Sequence, residues 1–194
     1  MTANKIENLK EALISFGASD LNENILNDIS LTELMELSVD ESKPRLCFRS
    51  AWALEHILLK NTNLFRSSYN ALISNYVILN NWSSLRSYTK LIMWLVSNKN
   101  LDIQLTEIER ENILEKTFQI IENSGCPVAV KVNGFDILYD LCPYFEGLSQ
   151  ELKVLIELNL EKENTPALKS RGVRILSKLT RVRFKHTVPV QQYS

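Results

Sequence analysis

The chain has 194 residues, enough for one sizeable core or one short array of repeats. Hydrophobic residues make up 45% and charged residues 23%, as in an ordinary globular protein, and only five Gly and five Pro argue against a turn-rich barrel or sandwich. The formal net charge of −1 excludes a protein-wide positive field that would steer the chain to nucleic acid or acidic membranes.

The charges are nevertheless distributed unevenly. Residues 166–194 contain seven of the 22 cations and none of the 23 acids. Cations near the C-terminal end of a last helix stabilise the helix dipole, which is one explanation. The other explanation is a basic surface that binds an acidic partner.

The three cysteines, Cys47, Cys126 and Cys142, show neither metal-ligand nor redox spacing, and an odd number does not close a disulfide framework. The N-terminus carries acids and amides where a signal peptide needs an apolar run. The longest strongly apolar run, residues 91–96, is too short to span a bilayer. We therefore expect a cytoplasmic protein without a membrane partner.

The first half of the chain has the spacing of apolar residues that is typical of helices, with Pro44 separating short segments from longer ones. In chain order, helices are predicted at about residues 4–16, 21–29, 32–38, 48–57, 61–79 and 85–94.

The second half carries clear start and stop signals. Thr106 and Glu109 form a capping box that begins a helix running to about residue 123. Gly125 is predicted to be its C-terminal cap, and Pro127 to open the next helix. A helix over residues 147–161 follows, and a Thr-Pro pair then starts the last one.

Two segments of the chain repeat each other. VAVKVNGFDILYDL (128–141) and PALKSRGVRILSKL (166–179) agree at six of fourteen positions, whereas unrelated segments would share about one. The frame also fits residues 48–57 and 85–94, with spacings of 37, 47 and 38 residues between units. In each unit a small residue is followed by Leu four positions later and a large apolar residue seven positions later; the small residues are Ser50, Ser87, Gly134 and Gly172.

Positions i, i+4 and i+7 form one stripe of a helix, and a small residue at its start lets a neighbouring helix approach closely. At these repeated positions the chain resembles the HEAT/armadillo class of α-solenoid, in particular small bacterial-type HEAT-like proteins, over about residues 20–181. Lys131 and Lys169 follow that family's second-helix pattern, whereas Cys47 and Ser84 stand at the lysine positions of the first two units.

The resemblance implies an all-α fold, a right-handed α-α superhelix of about four HEAT-like helix pairs. It implies one domain over residues 1–185, and residues 186–194 are predicted to be a flexible tail. It further implies that the second helices line a concave groove, which holds a protein or peptide partner.

Helical geometry predicts which residues face that groove. At 100° per residue, positions one before, two after and six after the small residue project away from the core. Thr89, Met93 and Asn133 occupy three such positions. The candidate groove residues are Arg49, Trp52, His56, Arg86, Asp136, Asp140, Arg171, Arg174 and Lys178.

Each candidate also has a structural interpretation. Trp52 is either a packed side chain or an interface hot spot, and His56 is more often a satisfied histidine than a ligand. Asp136 and Asp140 could chelate a metal or act as an acid–base pair, or pair with cations of the adjacent repeat. The arginine column could equally hold the helices together.

The sequence contains no phosphate-binding loop, nucleophile elbow, HExxH motif or CxxC pair, and no motif supports a lyase. We therefore expect no enzyme, no cofactor and no metal, but a non-enzymatic scaffold that binds a protein or peptide. The alternative is a nucleic-acid-binding protein resembling the DNA-alkylation-repair glycosylases, which use a basic concave surface with aromatic residues and a carboxylate.

Overall fold

All regular structure in the described part of the chain is α-helical, as predicted. The computed structural model describes residues 13, 29–97, 103–163 and 165–181. The predicted helices at 4–16 (apart from Leu13) and 21–29 (apart from Ile29), and the tail 186–194, lie outside these residues. Among the described helices, none is long and apolar enough to cross a membrane. The helices are α1 (Leu31–Leu37), α2 (Pro44–Leu58), α3 (Thr62–Ile78), α4 (Trp82–Val96), α5 (Glu107–Glu122), α6 (Val128–Leu141), α7 (Leu148–Lys162) and α8 (Pro166–Arg181).

Polar side chains cap the starts of several helices, whereas α2, α6 and α7 have no side-chain cap. The predicted capping box of α5 is confirmed: Thr106 Oγ1 accepts from the Glu109 amide at 3.3 Å, and Glu109 Oε2 accepts from the Thr106 amide at 2.7 Å. A second box, Ser30 with Glu33, begins α1. Asn61 Oδ1 caps α3 by accepting from the Leu64 amide at 3.0 Å. These bonds satisfy amides that have no partner inside the helix.

The end of α5 differs from its prediction. Gly125 is predicted to be the C-terminal cap, but the cap residue is Asn123, and among the described residues Gly147 alone has a positive φ, at 79°. Asn123 closes the helix instead: its side-chain Oδ1 accepts from the Gly125 amide at 2.9 Å, and its carbonyl accepts from the Cys126 amide at 2.9 Å. An asparagine turn of this kind needs no left-handed residue.

Within the described residues the eight helices form four consecutive pairs, α1 with α2, α3 with α4, α5 with α6 and α7 with α8, in agreement with the number that the resemblance implies. The chain divides into two compact units, residues 1–95 and 96–194. The first unit contains α1 to α3 and nearly all of α4, and the second contains α5 to α8. The single domain and the right hand of the superhelix stay predictions.

In the first unit the second helices of consecutive pairs, α2 and α4, run parallel. Cys47 Sγ lies 3.1 Å from Ser84 Oγ, and Lys90 Nζ lies 2.5 Å from Glu55 Oε1. Both contacts join residues about one repeat apart, and both advance in the same direction along the two helices. The two positions that lack the family's lysine are therefore in contact with each other.

A buried polar network joins α1, α3 and α4. The Tyr88 hydroxyl lies 2.6 Å from Ser38 Oγ, which donates to the Met35 carbonyl at 2.7 Å. Asn75 Nδ2 donates to both the Tyr88 hydroxyl (3.0 Å) and the Met35 carbonyl (3.1 Å). Tyr88 is fully buried, and burial raises the pKa of its hydroxyl. Because each polar atom has a partner, the network fixes the relative position of the three helices.

In the second unit the small residues allow close helix approach, as predicted. A Cβ atom added at Gly134 of α6 would lie 2.8 Å from Ile121 Cδ1 of α5. One added at Gly172 of α8 would lie 3.0 Å from Ile156 Cγ2 of α7. Both distances are shorter than ordinary van der Waals contact, so each second helix packs directly on the first helix of its own pair. In the first unit the two small residues, Ser50 and Ser87, are likewise buried.

Candidate functional site

Five predicted groove residues lie on neighbouring helices of the second unit, and we call their surface the α6–α8 face: Asp136 and Asp140 on α6, and Arg171, Arg174 and Lys178 on α8. Arg174 Nη2 donates to Asp136 Oδ1 at 2.6 Å. Lys178 Nζ lies 5.0 Å from the ring centroid of Tyr139. Because both contacts advance in the same direction along the two helices, α6 and α8 run parallel, one repeat apart.

Asp136 connects the two helices and is not an open groove carboxylate. Its side chain is only 11% exposed, and each of its oxygens accepts from a different arginine, Oδ2 from Arg171 Nη1 and Oδ1 from Arg174 Nη2. The side chains of Arg171 and Arg174 are 32% and 50% exposed, so both guanidinium groups also reach solvent. The interpretation in which an acid pairs with cations of the adjacent repeat therefore describes Asp136.

Asp140 lies one turn further along α6 and is partly buried. Burial, together with the negative charge of Asp136, raises the pKa of its carboxyl to about 6, against the opposing effect of Lys178 and Arg174. Within the described residues no hydrogen bond or ion pair reaches this carboxylate. Asp140 is thus an acceptor that the fold leaves unused, next to two cations.

The raised pKa of Asp140 gives a pH-dependent effect on stability. Folding favours the protonated carboxyl, so this contribution is fully present below about pH 4 and is lost as the pH rises through about 6. We expect Asp140→Asn to raise the free energy of unfolding at pH 7 by about 1 kcal/mol, a value reduced for the group's partial exposure. Urea denaturation at pH 4 and pH 7 measures this; a variant that gains as much at pH 4 as at pH 7 contradicts it.

The predicted groove residues of α2, in the first unit, contact one another and nearby residues of the same unit. The Arg49 guanidinium lies 4.8 Å from the Trp52 ring centroid, and its Nε donates to the Leu13 carbonyl at 2.7 Å. Trp52 also contacts His56 edge-on at 5.2 Å and stacks on Phe48 at 6.4 Å. These contacts favour the packing interpretation of Trp52.

Arg86, the remaining candidate, and the other predicted groove positions differ in how exposed they are. Arg86 is exposed on α4, and Met93 is partly exposed. Thr89 and Asn133, like Asp136, are buried, so the expectation that these positions project into an open groove was wrong for them. The expectation treated each helix alone; at Asp136, the adjacent parallel helix covers that flank.

Sequence reasoning missed Tyr139, whose ring lies under the Lys178 ammonium. Lys178 follows Tyr139 by about one repeat, so aligning the two repeated segments, 128–141 and 166–179, could have suggested the contact. The negative face of an aromatic ring attracts a cation, so Tyr139 helps to position the exposed Lys178 ammonium. Tyr139 therefore belongs to the α6–α8 face.

The described residues offer little to metal or thiol chemistry. They contain no group of three or more His, Cys, Asp or Glu side chains that could hold a metal ion. Burial raises the pKa of the Cys142 thiol to about 12 and that of Cys126 to about 11, and it also raises the pKa of Cys47. These thiols are protonated at neutral pH, and the thiolate is the reactive form.

Comparison with known proteins agrees with this geometry. A family model described as a HEAT repeat domain matches residues 7–179, most of the chain. No curated protein and no solved structure matches the chain significantly. Consecutive helix pairs, with parallel second helices one repeat apart, are the arrangement that stacked helical repeats produce. The chain belongs to the HEAT repeat family.

Proposed function

We propose that the protein is a non-enzymatic scaffold whose α6–α8 face binds an acidic segment of a partner protein. HEAT repeats commonly serve as protein-interaction scaffolds, and the family is generally non-enzymatic. In repeat arrays of this kind the extended inner surface is the usual binding surface. The α6–α8 face consists of second helices, which the resemblance to HEAT repeats assigns to that surface.

One observation carries the proposal: within the described residues, α8 holds more positive charge than its ion pairs neutralise. Asp136 takes one hydrogen bond from each of Arg171 and Arg174, and α8 contains no acidic residue of its own. The guanidinium groups are held in place by Asp136, and Lys178 by Tyr139, so a ligand carboxylate meets cations that are already oriented. Charge-assisted hydrogen bonds to preorganised cations are among the stronger polar contacts.

The balance of charge favours a protein segment over nucleic acid. Binding to a duplex depends on many phosphate contacts, whereas the α6–α8 face has three cations beside two acids. The alternative function, resembling DNA-alkylation repair, also needs an available carboxylate; both oxygens of Asp136 are engaged, so of the two candidate acids Asp140 alone could supply it. A peptide that offers acids to α8 and one donor to Asp140 suits the face better.

Fluorescence anisotropy with a labelled peptide of alternating Glu and Leu tests the proposal. We expect Lys178→Glu to weaken binding of this peptide about tenfold, because it replaces an attractive charge with a repulsive one. The matched control is Lys169→Glu, an exposed cation of the same helix about 180° away from Lys178. Equal losses in both variants, or preferential binding of duplex DNA by the unmodified chain, contradict the proposal.

A further inference from the structure

A cavity of about 580 Å³ opens between α5, α6 and α7 of the second unit. Its volume lies within the usual range for ligand pockets. None of its lining residues belongs to the α6–α8 face. The apolar part of its wall consists of Ile121 at the end of α5 and Leu155 and Leu158 on α7.

The fold leaves apolar surface uncovered beside this cavity. Leu158 is 47% exposed, and Val154, one turn earlier on α7, is 45% exposed. The buried stripe of α7 consists of other residues, Leu148, Leu152 and Ile156. Exposed aliphatic surface that continues into a concave pocket is typical of a binding site for an apolar side chain.

The charges around the cavity define what else the ligand carries. The side chain of Lys131 is 9% exposed and pairs with Glu163 at 3.1 Å, so those two charges offset each other. Lys162 lies in the last turn of α7 and offsets the negative end of that helix. Helix α5, in contrast, ends with the acid Glu122 and has no basic residue in its last turn.

An acid at the C-terminal end of a helix lies against the helix dipole, which favours cations there. Glu122 is exposed and lines the cavity, and no cation of the described residues forms an ion pair with it. The Glu122 carboxylate, at the negative end of the α5 dipole, therefore forms a negative wall of the cavity with which no described cation pairs.

We propose that this cavity docks a partner segment in which an aliphatic side chain is adjacent to a basic one. The aliphatic side chain packs on Leu155 and Leu158, and the basic side chain donates to Glu122. This site is independent of the α6–α8 face, and it selects the opposite charge. The chain would thereby hold two differently charged segments on two surfaces of one unit.

Glu122→Lys separates binding from stability. Binding of a labelled peptide of alternating Lys and Leu should weaken about tenfold, because the acceptor is replaced by a like charge. The melting temperature should stay unchanged or rise, because the new cation suits the end of α5. The control is Glu115→Lys, an exposed acid on the same helix about two turns away. An equal loss in the two variants overturns the proposal.

The apolar contact is tested with Leu158→Ser, for which we expect a several-fold loss of affinity for the Lys–Leu peptide. Ile108→Ser, which removes another highly exposed aliphatic side chain of the same unit, should have no effect. Lys178→Glu should also leave this binding intact, so failure of this site and failure of the α6–α8 face are distinguishable. Binding of the Glu–Leu peptide that depends on Leu158 overturns the assignment of a basic partner.

Discussion

Replacing Gly134 with leucine should lower the free energy of unfolding by about 2–3 kcal/mol. The loss is expected even though leucine favours a helix interior over glycine by up to about 1 kcal/mol. The reason is steric, because a single Cβ at this position would already lie 2.8 Å from Ile121 Cδ1 and 3.3 Å from Thr117 Cγ2. Chemical denaturation of the variant beside the unmodified chain measures the loss.

Two further variants make this result specific. Ile121→Ala removes the atoms that the new side chain meets. The loss of unfolding free energy in the double variant should therefore be smaller than the sum of the losses in the two single variants, by at least about 1 kcal/mol. Ser170→Leu adds the same side chain at an exposed position of α8 and should cost little. If leucine at Gly134 costs no more than leucine at Ser170, α6 does not pack closely on α5.

Asp136→Asn should lower stability and raise affinity together. The free energy of unfolding should fall by about 2 kcal/mol, since two charge-assisted hydrogen bonds between α6 and α8 are weakened while the partly exposed arginines regain water. Arg171 and Arg174 then lack their internal counterion. We expect this gain in available positive charge to outweigh the weaker orientation of the two guanidinium groups, so the Glu–Leu peptide should bind several-fold more tightly. Denaturation and anisotropy on the same preparation measure both effects.

The control for Asp136→Asn is Glu163→Gln, which weakens the ion pair with Lys131 in the same unit but outside the α6–α8 face. This variant should lose stability without any gain in affinity for the Glu–Leu peptide. A gain in both variants would show that general loosening of the fold, rather than release of the arginines, accounts for the tighter binding.

The helix pairs could be predicted from the sequence because their signals are local. The apolar stripes repeat every three to four residues, and the small residue of each unit needs only its own helix to be recognised. The longer spacing of 47 residues between Ser87 and Gly134 also contains the boundary between the two compact units, after Leu95. The apolar stripes, the capping signals and the spacing of the small residues indicate the same helices, which is why the order of the helices could be predicted.

The exposure of the groove residues was harder to predict, because it depends on contacts between repeats. The position of Asp136 on a wheel of α6 points away from the core, yet Arg171 and Arg174 of the next second helix cover it. Aligning the last two repeats, 128–141 and 166–179, places Asp136 level with Arg174, and Asp140 level with Lys178. Acids in one repeat opposite cations in the next were thus a visible signal for pairing between repeats. The cavity near Glu122 joins three helices, and no single-helix pattern indicates it.

The most direct test of the binding surface is a residue-by-residue map of the amide chemical shifts as the Glu–Leu peptide is added. We expect the perturbed amides to cluster on α6 and α8 around Asp140, Arg174 and Lys178, and the perturbation to shrink in Lys178→Glu. Perturbations concentrated on α5 and α7, or spread evenly over the exposed cations of the chain, would contradict the assignment of the α6–α8 face as the site for an acidic segment.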